Sequence, residues 1–137
     1  MARWLVPTLG YVVFLGALGV TSKLALRTLP WQTLVFTVSI GYLLTAAILG
    51  SLGQVRLEWN IDLFWAAASA ALAIASLILL YVALNTGEAS KVVPISAAYP
   101  AVTLVLAAIC LSEAITVARA GGMLLVIAGV IVLTSVK

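Results

Sequence analysis

The chain has 137 residues, 65% of them apolar and only 8% charged, with a net charge of +3 and a mean hydropathy of +1.29. A water-soluble chain covers its outside with roughly a quarter charged residues, so a soluble globular domain is excluded and lipid is the remaining solvent. A net charge of this size gives no reason to invoke nucleic acid as a partner.

In lipid every backbone polar group must be satisfied internally, and long unbroken apolar runs satisfy them as helices rather than as barrel strands. The expected fold class is therefore an all-α integral membrane protein with five transmembrane helices, and the sparse charges mark where each begins and ends. Trp4 to Ser22 is uncharged between Arg3 and Lys23 and is read as the first helix, over 4–22. A secretory signal peptide is the competing reading of that segment. The apolar run exceeds the roughly 7 to 15 residues of a signal core and is followed by more membrane helix, which favours a permanent span.

The second uncharged run lies between Arg27 and Arg56, and Pro30-Trp31 suits the start of a helix over 31–52. A polar stretch from Arg56 to Asp62 follows, then a third helix over 63–84 that carries the alanine-rich run Ala66 to Ala75. The fourth helix, over 92–112, lies between Lys91 and Glu113, and the fifth, over 120–136, between Arg119 and Lys137. A hydrocarbon core about 30 Å thick needs roughly 17 to 25 helical residues, and every segment fits that range. The loops are too short for a further domain, so residues 1–137 are expected to form one transmembrane domain.

Orientation is normally set by an excess of Lys and Arg on the cytoplasmic side. In the five-helix scheme Arg3, Arg56 and Arg119 fall on one side and Lys23, Arg27, Lys91 and Lys137 on the other, a balance of three against four. So even a balance permits insertion both ways, and with an odd number of spans the two orientations are true inversions. An antiparallel homodimer is expected, since inverted halves around a midplane site are a common transporter plan. A fixed orientation set by weaker signals is the alternative.

The chemistry available is sparse. No histidine is present, and the single cysteine, Cys110, lies within a span. The scattered carboxylates form no nucleophilic, acid–base or metal constellation, so an enzyme is not expected, nor any cofactor or metal. Lys23 either snorkels to the interface or faces a cavity and holds an anionic substrate group. Glu88, Glu113 and Asp62 sit at span ends, where they close helices or pair with Lys91, Arg119 or Arg56.

Uncharged polar residues within spans are the better candidates for lining a translocation path. Ser96, Tyr99 and Thr103 are spaced three and four apart and so share one helix face, while Pro94 and Pro100 remove backbone donors nearby and predict a kink. Tyr11, Tyr42, Ser76, Tyr81 and Asn85 could complete the lining. The alternative for each Ser and Thr is a hydrogen bond to the preceding turn of its own helix. Among small residues, Gly10, Gly16 and Gly19 permit close packing, and Gly122 and Gly129 lie nearly on one face of the last helix, suited to a dimer seam.

From the end of the third helix onward the residues carry a family resemblance. The stretch from Ala83 to Val102, ALNTGEASKVVPISAAYPAV, then Leu111-Ser112-Glu113-Ala114-Ile115-Thr116, Gly121-Gly122 and Ile127-Ala128-Gly129-Val130, resembles the EamA domain of the drug/metabolite transporter superfamily. Ser112 stands where glycine is usual in that turn. Typical members carry two such domains, ten helices in all, so the resemblance implies that this chain is one half of a ten-helix inverted-repeat transporter. The missing half would come from a second copy or a paired chain of similar size. The function it implies is transport of a small metabolite or drug-like solute by alternating access, in a prokaryotic inner or plasma membrane. Two other readings stand beside it. A non-transporting membrane subunit or assembly factor would need the same helices without a polar path. A small multidrug-resistance-like efflux protein would need a carboxylate in its first helix, and Trp4 to Ser22 has none.

Overall fold

The computed structural model describes residues 4–56 and 58–135. Arg3 and Lys137, used in the charge balance, and Val136, the expected end of the last helix, lie outside them. The described residues are all helix and loop, with no strand among them: α1 (Leu5–Ala25), α2 (Trp31–Ser51), α3 (Ile61–Thr86), α4 (Ala89–Ser96), α5 (Tyr99–Cys110) and α6 (Val117–Ser135). With α4 and α5 taken together, five helical segments are long and apolar enough to cross a membrane. The chain is a multi-pass membrane protein.

Local chemistry explains several helix ends. The Leu63 amide donates to Asn60 Oδ1 (3.0 Å) at the start of α3, and the Arg119 amide donates to Thr116 Oγ1 (3.3 Å) at the start of α6. Both are side-chain caps that satisfy amides left without partners in a first turn. At the end of α2, Gly53 adopts a left-handed φ of 66°, the Gln54 amide bonds the Leu49 carbonyl, and the Gly53 amide bonds the Gly50 carbonyl. That pair of bonds is the Schellman closure, which favours glycine because a Cβ is penalised there. The end of α5 also turns through a left-handed residue, Ser112 at φ 55°, but there the Glu113 amide reaches back six residues, to the Ala107 carbonyl (3.3 Å).

Helices extend past the charges expected to end them. Lys23 lies in the last turn of α1 and Asp62 in the first turn of α3, each at the end where the helix dipole favours its sign. The fourth helix, expected as one run over 92–112, starts at Ala89 and is interrupted at Ala97–Ala98. The cause is local. Pro100 has no amide to give the Ser96 carbonyl, and its ring crowds that oxygen. The chain tightens instead, with Ala98 bonding Ile95 and Ala101 bonding Ala98, one residue closer than in an α-helix.

The chain divides into two compact units, Met1–Thr86 and Gly87–Lys137. In the first, α3 packs against both α1 and α2. Its buried residues are Gly19 and Ser22 of α1, Leu34 of α2, and Tyr81 and Leu84 of α3. Each pair on one helix is three apart, so it shares a face, and the small residues at 19 and 22 let the bulky pair of α3 approach. In the second unit α6 packs along α4, and no described residue of α4, α5 or α6 is buried. Long apolar faces such as Phe14, Leu72 and Leu125 are exposed throughout, as lipid permits.

Candidate functional site

Among the described residues each unit holds one polar constellation near its helix packing. In the first, where α1 packs on α3, the buried Tyr81 of α3 and the buried Ser22 of α1 place two hydroxyls in the interior, with Ser22 the nearest polar influence on the Tyr81 phenol. Beside Ser22, the half-buried Lys23 sends Nζ to the Leu84 carbonyl oxygen at 2.7 Å. Leu84 lies in the last turn of α3, where carbonyls have no partner within the helix, so the ammonium caps that end and meets the negative pole of its dipole. Lys23 therefore does something neither sequence alternative named: it ties α1 to α3. Ser22 was not singled out by the sequence. Its three-residue spacing from Gly19 was the one available signal, since a small-residue pair marks where another helix comes close.

The other sequence-selected residues of this unit are on the surface. Tyr11 and Tyr42 are 52% and 65% exposed, and Asn85 is exposed as well. Ser76 bonds the Ala73 carbonyl of its own helix (2.9 Å).

In the second unit a groove of about 470 Å³ runs between α5 and α6. It brings together Tyr99, Pro100 and Thr103 of α5 with Gly122 of α6, residues the sequence had assigned to lining, kink and seam separately. At its mouth stand Glu113 of the α5–α6 loop and Arg119 of the first turn of α6. The Arg119 guanidinium donates to the Ala114 carbonyl through Nη1 (3.2 Å). Among the described residues the one salt bridge is Lys91–Glu88 at 3.0 Å, so Glu113 and Arg119 share a groove without pairing, and so too do Asp62 and Arg56 in a smaller depression beside the α2–α3 loop.

The remaining selected residues fall elsewhere. Ser96 is exposed at the end of α4 and donates to the Val93 carbonyl (2.7 Å), and Thr103 donates weakly to the Tyr99 carbonyl (3.4 Å). Both hydroxyls keep lone pairs to offer a solute. Pro94 lies inside α4 and Pro100 in the first turn of α5, on either side of the interruption. Gly122 and Gly129 are exposed, and a Cβ added at either would meet no atom within 4 Å.

No solved structure matches the chain. An uncharacterized protein of Methanocaldococcus jannaschii is 32% identical over 122 residues, covering 89% of each chain. The EamA-like transporter family matches residues 2–135. With five membrane-length helices and a family match over nearly its whole length, the chain belongs to the EamA-like transporter family.

Proposed function

We propose that the chain moves a small metabolite or drug-like solute across a prokaryotic cell membrane by alternating access, as an antiparallel pair of half-size chains. The observation that carries this reading is that one EamA-like match occupies residues 2–135 of a chain with five membrane-length helices. Inverted halves around a midplane site are the common transporter plan, and an odd number of spans lets one sequence supply both. The even charge balance of three Lys or Arg against four removes the usual obstacle to insertion in both directions.

The polar side chains proposed to meet the solute are Tyr11, Tyr42 and Asn85, exposed on α1–α3, and, on α5, Tyr99 and Thr103. Lys23 and Tyr81 support the first set by holding α1 on α3. Ser96 and the two prolines flank a helix interruption that suits a moving wall. Gly122 and Gly129 leave open space on α6 for close approach of a second chain, and leucine at both is expected to abolish the dimer in detergent.

The test is topology. Single cysteines at Gln54 and Thr86, in a Cys110→Ser background, are labelled in intact cells with a membrane-impermeant thiol reagent. Partial labelling at both positions is the expected result. Labelling at one position alone would end the homodimer and require a different chain to supply the inverted half.

A further inference from the structure

We propose that the α5–α6 groove binds one phospholipid whose headgroup carries both a phosphate and a primary ammonium, with an acyl chain lying along the groove. The charged mouth comes first. Glu113 and Arg119 line the same groove, yet no ion pair joins them among the described residues. Both sit where the apolar span of α5 has ended at Cys110 and that of α6 has just begun at Val117, the depth of lipid headgroups. Arg119 offers a planar fork suited to a phosphate, and the Glu113 carboxylate accepts from an ammonium.

Away from that mouth the groove changes character. Its walls are mainly apolar, with Ala107, Leu104 and then Pro100 on successive turns of α5 facing Met123 of α6 and the side chains of Tyr99 and Thr103 beside them. From Ala107 to Pro100 the helix rises about 10 Å, the direction an acyl chain takes from the headgroup into the bilayer. The ligand that matches opposite charges at one end and an apolar shaft below is an amphiphile with a zwitterionic head. The groove shares Gly122 with the seam proposed above, whereas Gly129, two turns further along α6, does not line it.

Headgroup chemistry makes the proposal selective. A primary ammonium donates hydrogen bonds to a carboxylate, a quaternary ammonium cannot, and a glycerol headgroup brings no cation for Glu113. Native mass spectrometry of the full chain in detergent, titrated with phosphatidylethanolamine, phosphatidylcholine and phosphatidylglycerol, tests this. Phosphatidylethanolamine is expected to bind about tenfold more tightly than either other lipid. Glu113→Gln should remove that preference while phosphatidylglycerol, freed of a like charge, binds at least as tightly as before, which shows the groove intact. Arg119→Gln should weaken all three, and Arg56→Gln, in another loop, should change nothing.

Equal binding of the three lipids, or a preference that survives both groove substitutions, would overturn the proposal. So would displacement of the lipid by soluble phosphoethanolamine at equal concentration, which would make a free zwitterionic solute the ligand. A Thr103→Cys chain, in the Cys110→Ser background, that crosslinks to a second copy in the presence of phosphatidylethanolamine would assign the groove to that copy and equally end the idea.

Discussion

In α1–α3 the buried residues gather at the end of α1, the start of α2 and the end of α3, whereas α4, α5 and α6 bury none. The first unit places polar groups inside: the hydroxyls of Ser22 and Tyr81 are buried, and Lys23 is bonded to a carbonyl of the neighbouring helix. The second keeps Glu113 and Arg119 at a groove mouth, pairs Glu88 with Lys91 at the start of α4, and bonds the Ser96 and Thr103 hydroxyls to their own helices. In lipid, apolar side chains gain little by meeting each other, so helices associate through close packing and interhelical hydrogen bonds. The first unit has both within itself. The second lacks such bonds among its described residues and leaves its small residues open, so it has more to gain from another molecule, whether a second chain or a lipid.

That contrast can be broken most directly by truncation. Tyr81→Ala would empty a site that is 1% exposed and should destabilise the first unit by about 3 to 5 kcal/mol, the usual range for a buried aromatic. Val105→Ala in α5, at a residue 53% exposed, should shift stability by less than about 0.5 kcal/mol, as surface changes do. Unfolding of the purified protein in mixed micelles measures both. Similar losses at the two sites would show that the second unit has a core of its own.

Removing the tie between α1 and α3 is the next largest effect. Lys23→Met keeps the methylenes and deletes the ammonium, leaving the Leu84 carbonyl without its donor, at an expected cost of about 1.5 to 3 kcal/mol. Lys23→Arg should recover part of it. If Lys23→Met abolished transport with no loss of stability, the ammonium would act on the solute rather than on α3.

Three smaller substitutions sharpen the account of the second unit. Ser112 holds φ 55°, a conformation that penalises any Cβ, so Ser112→Gly should stabilise by about 0.4 to 1 kcal/mol. Pro100→Ala returns an amide to the Ser96 carbonyl and should straighten the interruption at Ala97–Ala98. Spin labels at Val92 and Leu106 would then move apart, toward the spacing of a continuous helix at about 1.5 Å per residue. Smallest of all, Glu88→Gln should change stability by less than about 0.5 kcal/mol, because its pair with Lys91 is 69% and 46% exposed on the two sides.

Some features were legible in the residues because their causes are local. Helical spans follow from apolar runs that only a helix can carry through lipid, and the caps at Asn60 and Thr116 and the reversal at Gly53 act within a few residues of themselves. The family resemblance at Ser112 even marked the turn whose φ penalises a side chain, although a sequence does not state why glycine is usual there. Helix ends were less legible, since charges such as Lys23 and Asp62 mark the membrane boundary while the helix itself runs on.

What the sequence by itself determined, then, is the solvent, the number of spans and the family, all set by composition and short-range order. Only the tertiary structure decided that Lys23 reaches the Leu84 carbonyl, that Ser22 rather than a more conspicuous residue meets Tyr81, and that Glu113 and Arg119 open one groove with Tyr99 and Thr103. Those contacts depend on the register of one helix against another. A shift of a single residue turns a helix by about 100°, so the same sequence pattern would serve equally well with different partners.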